Sequence, residues 1–297
     1  MSFEKRAINV NFQLGEGDMG KSTGNANGET LKGLRISARI IKAGGPSMGT
    51  AQLQIWGMTR DQMNRYSTLG QRPTTVRKNQ ITVDAGVDDG QGGGVMSTVF
   101  IGNITNAWFD GSSPARPVFQ VLAHVGGFDA VNPVAPTSYK GSVDVATILS
   151  GLATKMGKTF ENNGVSVQIS NPYFAGSARE QALAAVRAAG INWNGLDDNK
   201  LAIWPNNGSR GGAIPLISKD TGMENYPSFT SQGVVVSSLF NQSVGFGSKI
   251  QVKSGIVDGA NGQWIVYALN YELDARLPKG RWHMTMSAAR PGFAVVA

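Results

Sequence analysis

Residues 15–22 read GEGDMGKS and fit the phosphate-loop pattern G-x-x-x-x-G-K-[ST]. In that pattern a glycine-rich backbone cradles phosphates and the lysine, here Lys21, reaches them. A predicted strand precedes it, with Ile8, Val10, Phe12 and Leu14 on one face. The chemistry also needs a helix opening at the Lys-Ser pair, so that free N–H groups face the anion. The following TGNANG is poor helix material. No alternating β/α pattern with an apolar strand ending in a magnesium-binding Asp comes after it. The stretch therefore reads as a long hairpin loop.

Other residues capable of chemistry are few. His124 and His283 are the only histidines, each inside a predicted strand, and a structural role is expected for both. Asp88-Asp89 and Asp197-Asp198 fall in turns, whereas glycoside hydrolysis needs two acids held across a cleft. Asn103-Ile104-Thr105 and Asn207-Gly208-Ser209 match the glycosylation sequon, but no secretion signal accompanies them. The six tryptophans are scattered near strand ends and loops, which suits packing or interfaces. Cysteine is absent, which excludes disulfides, Cys-type zinc sites and thiol chemistry. No residue is assigned as catalytic, cofactor-binding or metal-ligating.

Composition points to a β-rich protein. Glycine accounts for 39 of 297 residues, and charged residues for 16% against the usual ~25%. With 41% hydrophobic residues the chain is unlike a disordered one. The net charge is +7, but no Lys/Arg run marks a phosphate footprint, and the basic spots at Arg77-Lys78 and between Arg276 and Arg281 are short. Specific nucleic-acid binding is not expected. No apolar run approaches the ~20 residues of a membrane span.

The most legible element is the helix and hairpin of residues 177–204. Ser177 and Glu180 form a capping box, and Leu183 and Val186, widened by Ala182, Ala185 and Ala189, give an apolar stripe. Gly190 fits a left-handed cap. Strands are predicted over 192–196 and 200–204, around Asp197, Asp198 and Asn199. A second helix is predicted from Ser142, with Val145, Ile148, Leu149, Leu152 and Met156 at helical spacing, and a strand over 165–169. Before it come strands over 7–14, 34–42, 51–56, 79–87, 95–104 and 117–125. A short helix over 59–69 opens with Thr59 and Gln62 in capping-box spacing. After it come strands over 214–218, 233–239, 249–253, 264–273 and 282–288. Residues 126–140 and 205–212 read as linkers. The expected fold is β-rich α+β, with β regions at 1–125 and 213–297 and an α/β module at 126–212.

Several segments, in this order, resemble central baseplate hub proteins of contractile-tailed bacteriophages, which are similar to the hub portion of type VI secretion spike proteins. MNRYSTLG at 63–70 is similar to the family's short helix and its Leu/Ser/Gly turn. ITVDAGV at 81–87 resembles I-x-V-x-A-G-Y, and FIGNI at 100–104 resembles F-x-G-x-I. LISKDTG at 216–222 with Pro227 resembles I-S-x-x-T-G-x-x-x-x-P. GSKIQV at 247–252 resembles G-x-x-V-x-V, and Gly280-Arg281-Trp282 resembles G-x-W.

The resemblance implies a structural virion protein, not an enzyme, with two tube-type β-barrel domains and an α/β module inserted between them. It implies a homotrimer whose six barrels ring a channel and join the sixfold tail tube to the threefold spike. Expected partners are further copies of the chain, the tail tube protein, the tail spike protein, the tape measure protein and other baseplate subunits. The expected location is the virion tail baseplate, assembled in the bacterial host cytoplasm. The loop 256–262 is short for the family, and spike or wall-degrading domains are expected on separate chains. The 177–204 helix and its Asp197–Asn199 tip are expected to be a docking surface. Alternative readings are another tail tube or distal tail component, a cell-wall hydrolase of the tail tip, and a nucleotide-binding enzyme built on residues 15–22.

Overall fold

The computed structural model describes residues 5–15, 28–44, 47–68, 78–88, 94–112 and 117–292. Most of the phosphate-loop pattern, Lys21 included, and Arg77 and Asp89 lie outside the described residues. The chain is mostly β-sheet with few helices. It divides into two compact units.

Unit 1 comprises Met1–Ile40, Thr50–Phe128 and Tyr271–Trp282. Its strands are β1 (Lys5–Gln13), β2 (Glu29–Leu31), β3 (Arg35–Ala43), β4 (Thr50–Trp56), β5 (Gln80–Asp88), β6 (Met96–Asp110) and β7 (Val118–His124). They lie in the order β3-β4-β7-β6-β5-β1-β2. Period-two alternation sends one face of each strand inward. Ile8, Val10, Phe12, Ile36, Leu53, Ile55, Ile81, Val83, Phe119 and Val121 are all buried there. The helix α1 (Arg60–Tyr66) starts on the predicted capping box: Gln62 N donates to Thr59 Oγ1, and Thr59 N donates to Gln62 Oε1. At its end Tyr66 stacks on Phe12, ring centroids 4.4 Å apart, and donates its hydroxyl to Glu29.

One prediction for unit 1 needs correction. The strand expected to stop at residue 104 continues to Asp110. Its register shifts between Ile104 and Asn106, a β-bulge that interrupts the ladder without ending the strand. Thr68 secures the bulge by accepting from Ala107 N and donating to Asn106 Oδ1.

Unit 2 comprises Ile41–Gly49, Asp129–Asn270 and His283–Ala297. The segment read as a linker contains a short helix, α2 (Gly127–Val131), and β8 (Thr137–Ser138). Then follow β9 (Ser142–Asp144), α3 (Val145–Met156), β10 (Thr159–Asn162), β11 (Gln168–Ser170), β12 (Tyr173–Phe174), α4 (Ala178–Ala189), β13 (Ile191–Trp193) and β14 (Lys200–Pro205). A three-stranded sheet, β10-β14-β13, packs against α3 and α4. Val145, Ile148, Leu149 and Leu152 of α3 are fully buried, as their spacing predicts.

The start of α3 differs from expectation. Ser142 lies in a strand paired with Ser170, and Asp144 caps the helix by accepting from Ala146 N. The box at Ser177 and Glu180 and the left-handed Gly190 cap form as predicted. The buried face of α4 is shifted, however: Arg179, Gln181, Ala182, Ala185 and Val186 are inside, and Leu183 is half-buried. Gln181 is inside because it is fully bonded. It accepts from Thr137 Oγ1 at 2.7 Å and donates to the carbonyls of Ala135 and Gly176, tying the 126–140 segment to the helix.

The remaining strands are β15 (Leu216–Ser218), β16 (Ser228–Thr230), β17 (Gly233–Leu239), β18 (Lys249–Lys253), β19 (Gly262–Ala275) and β20 (Trp282–Ala289), which belong to unit 2 apart from the Tyr271–Trp282 stretch of unit 1. Their order is β16-β17-β20-β19-β18-β15, with the last pair parallel. Val234, Val236, Ile250, Val252, Val266, Met284 and Met286 form its core. The strand path of each unit is open among the described residues.

Candidate assembly surfaces

The tip between β13 and β14 is built by Asn194. Its amide donates to Asp197 O at 2.8 Å and Lys200 O at 3.1 Å, and its oxygen accepts from Ala202 N at 3.0 Å. This turn carries three non-glycine residues with left-handed backbone, Leu196, Asp198 and Asn199. The bend presents Asp197 and Asp198 to Lys42, whose Nζ lies 2.8 Å from Asp197 Oδ2 and 2.9 Å from Asp198 Oδ1. The Lys42 and Asp197 side chains are only 4% and 5% exposed. Hence the expected docking surface at this tip is corrected: the tip is largely internal, and Asp197 is inaccessible to a partner.

The cluster continues through Arg210, which forms a bidentate pair with Glu161 at 3.0 Å on each oxygen. Lys200 lies 3.8 Å from the same carboxylate. Burial pushes the Asp197 carboxyl up, against the pull of Lys42. Hydrogen bonds from Arg210 hold Glu161 down at about 2, below its ordinary 4.5. A depressed carboxylate stabilises the fold above its unfolded value and loses that contribution as pH falls through the folded one. The wild-type urea midpoint should therefore fall as pH drops from 4.5 toward 2. Glu161→Gln should flatten that slope, and equal slopes for both proteins would refute the assignment.

The other sequence candidates stay apart. His124, in unit 1, has Nδ1 3.2 Å from Thr105 Oγ1, and burial lowers its pKa. His283, in unit 2, has its Nδ1 against the Glu224 carboxylate. No group of three or more His, Asp or Glu able to hold a metal occurs among the described residues. Asn103 of the first sequon is 8% exposed and accepts from Phe128 N, opening α2. Trp193, Trp204, Trp264 and Trp282 are buried. No described helix is long and apolar enough to cross a membrane.

The outside of unit 2 carries an apolar, edge-like patch at β16. All three residues of β16 are exposed, and β16 pairs only with β17 among the described residues. Phe229 at its centre is 59% exposed. Tyr226 precedes the strand, and Ile256 lies in a loop; both are more exposed still. Phe229 reaches that loop, since a Cβ on Gly259 would sit 3.2 Å from its ring. An unpaired edge beside exposed aromatic and aliphatic side chains is a surface for pairing with another chain. The sequence pattern predicts β17 at 233–239 but not β16, the strand that ends the sheet.

A family model described as baseplate hub gp41 matches residues 7–284. No curated protein matches the sequence. Among solved structures, the fold is similar to a tail protein from Neisseria meningitidis MC58, at 10% identity and TM-score 0.61, covering 98% of each chain. It is similar to the 43 kDa tail protein of prophage MuSo2 from Shewanella oneidensis, at 11% identity and TM-score 0.59, covering 97% of each. The E. coli c3393 protein, a type VI secretion component described as structurally similar to the T4 bacteriophage tail proteins gp27 and gp5, gives 10% identity and TM-score 0.53. That match covers 87% of this chain and 74% of the other.

Proposed function

Since the chain belongs to the baseplate hub gp41 family of phage tail structural proteins, we propose that it acts as a homotrimer. Three copies form a pseudo-sixfold ring around the tail channel and join the tail tube to a threefold spike. In this reading residues 1–125 and 213–297 are the two tube-type barrels, and 126–212 is the module between them. The protein works by assembly, with no catalysis. Its partners are copies of itself, the tube and spike proteins, the tape measure protein and other baseplate subunits. It sits in the virion tail baseplate after assembly in the host cytoplasm.

The observation that carries this reading is the open β16 edge with its exposed apolar neighbours Tyr226, Phe229 and Ile256. A lone small sheet must protect such an edge, and an adjoining subunit would cover it. Unit 1 supports the barrel reading in a second way. Arg6, at the start of β1, donates to Gly280 O at 3.2 Å and lies over the Trp282 ring at 5.8 Å. These contacts hold the start of β1 against the Tyr271–Trp282 segment of the same unit.

Light scattering on the purified protein, alone and with its spike, tests the proposal. The expected mass is three times the 31.4 kDa chain. Phe229→Asp, on a side chain already mostly in water, should leave the fold intact and shift the population toward monomer. A chain that stays monomeric with both spike and tube proteins present would overturn the trimer.

A further inference from the structure

The outer face of the unit 1 sheet carries a trough of about 400 Å³, in the size range of small-molecule clefts. Strand register builds it. Gln54 lies opposite Gln120, and Gln120 opposite Trp108, so two amides and an indole form one row across three neighbouring strands. In the next row Gln52 lies opposite Leu122. The other rim is an ion pair cluster: Glu272 accepts from Arg39 at 3.2 Å and from Arg281 at 2.8 Å. All these residues line one cavity.

The lining has a particular chemistry. The Gln120 amide lies near the Asp110 carboxylate and helps to lower its pKa, while Gln52 and Gln54 have no partner among the described residues. Each amide offers both donors and an acceptor. A sugar hydroxyl also donates and accepts, so a row of amides matches a row of hydroxyls. The guanidiniums and carboxylate across the trough add donors and an acceptor held in place by each other. The half-buried indole of Trp108 supplies the flat apolar face on which the C–H side of a pyranose ring can stack. The cavity is too polar for an apolar ligand. Its two cations already share one carboxylate, which disfavours an isolated anion.

We propose that this trough is a saccharide-binding site taking a neutral mono- or disaccharide, with Trp108 as the stacking platform and Gln52 and Gln54 as the hydroxyl readers. Neither the ring nor the spike junction enters this inference.

Saturation-transfer NMR with maltose and N,N′-diacetylchitobiose tests it on the full chain, with hexaglutamate as the competing probe. Transfer to at least one sugar is expected, with a dissociation constant on the order of 1 mM. Trp108→Ala and Gln54→Ala should each weaken it about tenfold. Both side chains point away from the core, and unchanged thermal melting would show that the variants fold. Trp56→Ala is the control, because Trp56 stacks under Arg35 at 4.7 Å and does not line the trough. Affinity in Trp108→Ala equal to that of the wild type would overturn the site, as would absence of transfer in the wild type at about 10 mM sugar, ten times that constant. Binding of hexaglutamate without either sugar would also overturn it, and would identify the face as a docking surface for acidic chains.

Discussion

Replacing Lys42 with methionine should destabilise unit 2 by about 3–5 kcal/mol, the range for removing one partner of a buried ion pair. Methionine fills nearly the same space, so the loss is electrostatic. Asp197 is left 5% exposed and without its cation, beside a second carboxylate on Asp198. It can then keep its place only by taking up a proton. Burial already pushes this carboxyl up, and losing Lys42 removes the main opposing influence. In the variant the folded state therefore binds a proton that the unfolded state releases, and stability falls as pH rises. The deficit should be largest near pH 7 and shrink as pH is lowered toward the ordinary aspartate value of 3.8. That trend is opposite to the Glu161 effect and lies above it in pH. Lys42→Met combined with Asp197→Leu should recover much of the loss. Denaturant melts of the two single variants and the pair, at pH 7 and 4.5, decide the matter. A pH-independent deficit would mean that Lys42 acts through packing alone.

Lys42 also shows what was legible in the sequence. In β3 the inward positions are Ile36, Ala38, Ile40 and then Lys42, so alternation puts a lysine on the buried face. That register signalled a buried counter-ion. The partner was not legible, because Asp197 is 155 residues away and read as an ordinary turn residue. Features set by near neighbours came through well: the strand alternation, both capping boxes, and the left-handed Gly190. Features set by distant partners did not. Asp144 displaced Ser142 as a cap because residues 142–144 pair with 168–170. The helix α2 opens on the Asn103 side chain, 25 positions away. Gln181 is not singled out by the sequence pattern, because its partners Ala135 and Thr137 lie more than 40 positions away in a segment rich in glycine and proline. The likeness to hub proteins rested on turn and strand patterns of the first kind, which is why it survived errors of the second.

Gly44→Val should cost about 3 kcal/mol, the upper part of the range for overpacking a core. The sequence marks Gly44-Gly45-Pro46 as a break between strands, which explains glycine there by the turn alone. The packing gives a stronger reason. A Cβ on Gly44 would lie 2.2 Å from Phe246 Cζ, and this ring cannot retreat. Phe246 is 3% exposed and meets Trp204 edge-on, with centroids 6.1 Å apart. Trp204 is itself held against Gly247, where an added Cβ would sit 2.7 Å from the indole. The two glycines are therefore the walls of a slot that the two rings fill. Phe246→Ala alone should cost about 3–5 kcal/mol by opening a cavity. Gly44→Val in that background should cost far less than in the wild type, since the new methyls occupy the vacated space. Gly255→Val is the reference, as its added Cβ has nothing within 4 Å. Additivity of the Gly44 and Phe246 changes to within about 0.5 kcal/mol would show that the two sites do not touch. Strong sub-additivity would establish that Gly44 is glycine for the sake of the ring, with the turn as a secondary demand.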